Sequence, residues 1–177
     1  VHHGQAVAIL AALDTSEQTA GGMINIVVTG TDSDGNTFPQ LVEWTEDGVV
    51  VENITAGSDE GTYAFMATIA GPHTLDYSTG SVSNSANISV DALYIVHSLA
   101  IELSSESIDQ LGSFTVTVKA FDEYLNPIGI RSSADVDATG RAEVLNQGQG
   151  VWNIVTLDDG PQTVTITAGS VTEERNV

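Results

Sequence analysis

The feature that most constrains this chain is an internal duplication. The stretch from Gly22 to Asn36 and the stretch from Gly112 to Asn126 align 90 residues apart, with the glycine, the alternating apolar positions, the aspartate and the asparagine coinciding. Upstream, Ile9, Ala11 and Leu13 match Leu99, Ile101 and Leu103 at the same spacing. Downstream, Gly61, Tyr63, Phe65, Gly71-Pro72, Thr74 and Gly80-Ser81-Val82 match Gly150, Trp152, Ile154, Gly160-Pro161, Thr163 and Gly169-Ser170-Val171 at a spacing of 89, so one residue is lost between the two blocks. A repeat of this length suits one small domain per copy. The 177 residues therefore read as two domains, 1–91 and 92–177.

Within each copy the hydrophobic period is two. Ile24, Ile26 and Val28 alternate with Asn25, Val27 and Thr29; Phe114, Val116 and Val118 alternate with Thr115, Thr117 and Lys119; Val164, Ile166 and Ala168 alternate with threonines. Such alternation marks strands with one face on a core and one in water. Turn signals fall between the runs at Asp34-Gly35-Asn36, Asp47-Gly48, Gly71-Pro72, Thr79-Gly80, Asn126-Pro127 and Gly160-Pro161. The expected strands are 6–13, 22–30, 40–45, 48–54, 61–69, 73–79 and 82–90 in the first copy. In the second they are 98–103, 112–121, 134–139, 142–145, 151–157, 162–168 and 170–177. Seven short strands per copy define an all-β class, two tandem immunoglobulin-like β-sandwich domains. With 41% hydrophobic but only 6% aromatic residues, the cores are expected to be mostly Val, Ile, Leu and Ala.

Charge narrows the function classes. There are 24 acidic and 4 basic residues, a net charge of −20, and residues 1–90 contain no Lys or Arg. That balance repels a phosphate backbone and an anionic bilayer, so nucleic acid and membrane surfaces are excluded as partners. It suits a salt-rich or divalent-rich setting in which counterions screen self-repulsion. There is no cysteine, hence no disulfide and no thiolate metal site. No apolar run is long enough to insert in a bilayer as a helix. The abrupt start at Val1 and end at Val177 are those expected of a segment from a longer protein, and Val90–His97, with neither Gly nor Pro, predicts a stiff join between the copies with a small interface near Tyr94.

The segment Gly112–Pro127 resembles the second strand and following turn of bacterial immunoglobulin-like repeats of the invasin and intimin type. The block Gly61–Thr74 is similar to filamin-type immunoglobulin repeats, and Asp59, Gly61 and Tyr63 match the tyrosine corner of immunoglobulin folds, with Phe65 where a disulfide cysteine would stand. Two further strands follow Tyr63 rather than one, which places its strand one position earlier in the order. The second copy carries Gly148 and Trp152 in place of Asp59 and Tyr63. The resemblance covers nearly the whole chain twice, and its motifs are structural. It implies a modular extracellular, cell-surface stalk, adhesin or S-layer-like component whose partners are other modules of the same protein, and beyond them a cell-surface protein or glycan. The alternative is a glycan- or protein-binding accessory module of a secreted hydrolase.

Few residues invite chemistry. Asp32, Asp34 and Asn36 alternate oxygen ligands as a calcium loop does, but without the closing glutamate. The competing reading is a tight turn, and Tyr124 stands in the second copy where Asp34 stands in the first. A calcium site between modules would draw on Asp91 and Glu123. Asn53 and Asn87 open N-glycosylation sequons. Trp44 and Trp152 are expected in the core rather than on a sugar-stacking surface, and Trp44 falls in the third strand, where immunoglobulin-like folds bury a tryptophan. His73, matched by Gln162, reads as a surface residue beside a turn, and His2 and His3 as lead-in to the first strand. No nucleophile elbow, zinc-protease motif or phosphate loop is present, so no catalytic residue is assigned.

Overall fold

The two longest clean alternations in the sequence, Met23–Thr31 and Ser113–Phe121, are nine-residue strands whose inward side chains are buried almost without interruption. They are the scaffolds of two units that divide the computed structural model at Val1–Ala92 and Leu93–Val177. The structure describes residues 4–108, 111–130, 134–158 and 160–177; His2 and His3 lie outside these.

The first unit contains β1 (Ala8–Leu13), β2 (Glu17–Thr19), β3 (Met23–Thr31), β4 (Thr37–Pro39), β5 (Glu43–Glu46), β6 (Val49–Val50), β7 (Ile54–Ala56), β8 (Thr62–Met66), β9 (Gly71–Thr79) and β10 (Val82–Asp91). One sheet has the order β1-β3-β8-β7, with β4 also paired to β3; the other has the order β2-β10-β9-β5-β6. All pairs are antiparallel except β2 with β10, which run parallel. The second unit contains β11 (Ser98–Leu103), β12 (Ser113–Phe121), β13 (Pro127–Ile128), β14 (Ala134–Ala138), β15 (Ala142–Gly148), β16 (Val151–Thr156), β17 (Thr163–Ala168) and β18 (Val171–Asn176). Its sheets are β11-β12-β16-β15, with β13 beside β12, and β14-β17-β18. Each unit thus pairs its first, second, fifth and fourth principal strands against its third, sixth and seventh, the division of an immunoglobulin-like sandwich.

The differences from expectation lie where the chain changes sheets. The expected strand 48–54 is two pieces: Val49–Val50 folds back on β5 in one sheet, while Ile54–Ala56 joins β8 in the other. The expected 40–45 begins only at Glu43, because Thr37–Pro39 still belongs to β3's sheet and the chain crosses at Gln40–Val42. Gly71-Pro72 is not a turn; it opens β9. Proline is tolerated there because the N–H of Ser89, its neighbour on β10, is given to Ser16 O on the far side. The Pro72 position is therefore one where no ladder bond is due.

Both cores are mostly aliphatic, as the composition implies. Ile24, Ile26, Val28, Phe65, Leu75, Tyr77 and Ile88 are buried in the first unit, and Phe114, Val116, Val118, Ile154, Val164 and Ile166 in the second. At roughly 1.5–3 kcal/mol for each fully buried large aliphatic or phenyl side chain, these clusters outweigh the exposed pairs Lys119–Glu102 and Arg175–Glu173, each worth about 0–1 kcal/mol.

The duplication extends to individual hydrogen bonds. Asp14 N–H donates to Asn25 O (3.0 Å) as Ser104 N–H donates to Thr115 O (2.9 Å). Thr15 Oγ1 donates to Glu17 O (2.8 Å) as Ser105 Oγ donates to Ser107 O (2.7 Å). Across the outer face, Thr74 Oγ1 donates to Asn87 Oδ1 (3.0 Å) as Thr163 Oγ1 donates to Asn176 Oδ1 (3.1 Å). Val28 N–H donates to Gly61 O (2.7 Å) and Val118 N–H to Gly150 O (2.8 Å). Gly61 and Gly150 both hold positive φ (75° and 78°), and a Cβ on either would lie 2.7 or 2.6 Å from the carbonyl oxygen of Val28 or Val118. Glycine is required at both places by the close approach of a neighbouring strand.

Candidate functional site

The turn after each central strand is organised by one carboxylate. Asp32 Oδ1 accepts N–H from Asp34 (3.0 Å) and Asn36 (2.9 Å), the Asn36 amide lies 3.2 and 3.1 Å from the two carboxylate oxygens, and Gly4 N–H reaches Oδ2 at 3.4 Å. In the second unit Asp122 Oδ1 accepts from Tyr124 (2.9 Å) and Asn126 (2.8 Å), while Oδ2 accepts from Leu93 N–H (2.9 Å) and Asn126 Nδ2 (3.0 Å). The shared device is Asp-x-x-x-Asn, with its last donor from the segment that enters the unit. It pins the chain's entry to the end of the second principal strand. Asp32 holds the backbone N–H of Asp34 as Asp122 holds that of Tyr124. Leu125 adopts φ 66° where the first copy has Gly35 at 82°, so the turn is formed even where its sequence disfavours it.

These donors lower the pKa of both carboxyls. For Asp32 the Asn36 side chain is the largest cause, followed by the Asn36 backbone N–H, with desolvation opposing them. For Asp122 desolvation by burial is the largest single influence and pushes upward, but the N–H donors of Asn126, Leu93 and Tyr124 together outweigh it, and the carboxyl stays below its ordinary value. The described residues hold no group of three or more His, Cys, Asp or Glu side chains arranged for a metal ion.

The two sequons differ. Asn53 is half-buried and its Nδ2, the atom a glycan would occupy, donates to Met66 O at 2.6 Å. Asn87 is exposed on the outer face of β10, and its bond with Thr74 uses Oδ1. Asp91 in the first unit and Glu123 in the second are both exposed. Trp44 and Trp152 are core residues, 6% and 3% exposed. Trp44 lies on β5, with ring contacts to Tyr63 (5.4 Å) and Tyr77 (5.1 Å). Tyr63 sits on the fifth principal strand, one place before the usual tyrosine corner, as the two strands following it required; its hydroxyl accepts from Val42 N–H at 2.8 Å.

His73 is placed differently from the sequence reading. It is on β9 rather than beside a turn, with its side chain 11% exposed and Nδ1 2.8 Å from Glu46 Oε1. Glu46 is 27 residues away in sequence, a pairing that no local spacing discloses. The two residues border a cavity of about 360 Å³ under the β5–β6 hairpin. Elsewhere the copies diverge in their outward side chains: Leu10, Met23 and Val27 are exposed in the first unit where Ala100, Ser113 and Thr117 stand in the second.

Fold and bonding together define two immunoglobulin-like sandwiches in tandem. No protein-family model matches the chain, and no curated protein matches it. Among solved structures it is similar to FdeC, an Escherichia coli adhesin, with a TM-score of 0.56 and 19% identity over 100% of this chain and 66% of that one. It is also similar to invasin, a bacterial integrin-binding protein, with a TM-score of 0.54 and 15% identity over 96% of this chain and 39% of that one. At such identities the likeness is one of fold, and the fold is that of the tandem immunoglobulin-like domains of these adhesins.

Proposed function

We propose that this chain is a non-enzymatic structural segment of a larger extracellular cell-surface protein, a stalk or spacer that sets the reach of other modules. The observation that carries this reading is what the two copies share. The Asp-x-x-x-Asn pin, the close-approach glycine and the strand-entry turns recur in both copies, whereas His73 and the outward apolar residues Leu10, Met23 and Val27 are replaced in the second copy by Gln162, Ala100, Ser113 and Thr117. Repetition of the framework without repetition of a site is the expected pattern for a module whose role is to fold and bear load. In the first unit the parallel pairing of β2 with β10 adds to this. Tension applied at the two ends of such a pair loads its bonds in shear, all at once, rather than one after another.

The test is replacement. In the full-length protein, exchanging residues 1–177 for an unrelated two-domain sandwich of equal length is expected to preserve surface display and adhesion. Loss of adhesion with display intact would instead assign recognition to this segment. A catalytic domain in the same polypeptide would favour the accessory-module reading.

The Asp32 loop is read as a pin rather than a calcium site, because both carboxylate oxygens already accept protein N–H groups. Adding calcium to chelator-treated protein is expected to leave the thermal midpoint of the first unit unchanged, and a rise of several degrees would reassign the loop. Of the two sequons, Asn87 is the acceptor the geometry favours. In a glycosylating host N87Q, but not N53Q, is expected to lose a glycan mass, and the reverse pattern would refute the assignment.

A further inference from the structure

His73 is held between two acceptors. Nδ1 faces Glu46 Oε1 at 2.8 Å and Nε2 faces the carbonyl of Ile69 at 2.7 Å. A neutral imidazole has one N–H and serves one of them; the imidazolium donates to both. The ring also meets Phe65 of β8 at 6.3 Å, edge to face, and Ile88 of β10 is its cross-strand neighbour. The other ionisable groups bordering the same cavity are the carboxylates Asp47 and Glu52, with no cation besides the histidine among its described lining residues.

Glu46 ends the outgoing arm of the β5–β6 hairpin; that arm pairs with β9 over Glu43–Thr45, but the hairpin beyond Thr45 is weakly held. Its ladder has two positions, Thr45 with Val50 and Glu46 with Val49. Val49 and Val50 are 70% and 72% exposed, so burial does not anchor the returning arm. Asp47 and Gly48 at its tip both have positive φ. Its charged tie to the body of the unit is His73.

We propose that protonated His73 is a clasp that holds the end of the β5–β6 hairpin, beyond Thr45, against β9 beside the cavity, and that loss of the proton releases that end. The clasp is complete while Glu46 is ionised and the ring carries both protons. Removing a ring proton, or protonating Glu46, breaks it. Gln162 occupies the matching place in the second unit, so the device belongs to the first unit alone and glutamine is a side chain this fold already accepts there.

The test is amide hydrogen exchange on the intact 177-residue chain, expressed as protection so that the intrinsic pH dependence is removed, at about pH 5.5 and about pH 8. Protection of Glu46 and of Val51, whose N–H donates to Trp44 O, is expected to fall at least about threefold at the higher pH while β3 and β8 keep theirs. His73→Gln is expected to show the low value at both pH values. Ring 15N shifts of His73 in the unmutated chain should change over the same pH interval as hairpin protection. Equal protection at the two pH values, a pH dependence that survives in His73→Gln, or hairpin release at a pH where the ring does not titrate would each overturn the clasp.

Discussion

Replacing Gly150 by alanine is expected to destabilise the second unit by at least about 2 kcal/mol, and Gly61→Ala to do the same to the first. Two costs add at each site. The backbone is at positive φ, where a Cβ is disfavoured, and the added methyl would sit 2.6 or 2.7 Å from a carbonyl oxygen of the central strand. That carbonyl is backbone inside a paired sheet and cannot swing away as a side chain could. For a unit of about 90 residues the loss corresponds to a fall of roughly 10 °C in thermal midpoint. Each unit carries one tryptophan, Trp44 or Trp152, and both are buried. Fluorescence in a Trp44→Phe or Trp152→Phe background therefore reports one unit at a time. Gly150→Ala should shift the Trp152 transition; an unchanged midpoint would mean that the close approach is not rigid.

The second large effect is expected at Asp122. Its side chain is fully buried and accepts four N–H donors, three of them backbone. Asp122→Ala leaves those donors without their acceptor, and at about 1–3 kcal/mol for each unmet group a loss of about 3 kcal/mol or more is expected for the unit. Asp122→Asn retains one acceptor oxygen and should lose less. The same donors set a pH dependence. Because folding lowers the carboxyl's pKa, the unfolded chain takes up the proton first as pH falls. The stabilisation is complete above the unfolded carboxyl's value of about 3.9 and is lost below it, as pH falls through the folded value. Acid unfolding of the parent chain should therefore steepen below about pH 4, and Asp122→Ala should flatten that dependence in the second unit. A parent and variant with parallel acid profiles would count against the pin.

Much of the architecture was legible because its causes are local. Alternation at period two marks a half-buried strand wherever it occurs, so Met23–Thr31 and Ser113–Phe121 were readable to within a residue. The duplication gave each copy a check on the other, and it located Gly61 and Gly150 as equivalent before any geometry did. What was not legible depends on partners distant in sequence. Pro72 signals a turn by its own chemistry and becomes a strand residue because Ser89 spends its N–H elsewhere. The chain leaves one sheet for the other at Gln40–Val42 and again after Val50, and sheet membership is a property of neighbours rather than of residue types. The Asp-x-x-x-Asn turn was legible because its donors are two and four residues from the aspartate. The entering N–H of Gly4 or Leu93, 28 or 29 residues away, was not. The burial of His73 is hidden for the same reason, since nothing near it in sequence announces Glu46.

The proposed role as a load-bearing spacer rests on two equivalent sandwiches, each with its own core and its own pinned entry. Single-molecule extension of the 177-residue chain tests it most directly. Units of 92 and 85 residues should unfold in two separate force peaks, each releasing up to about 3.3–3.6 Å of contour per residue less the folded span. Gly150→Ala should lower one peak and leave the other in place. A single event releasing the whole chain, or extension without resolvable force, would contradict the account.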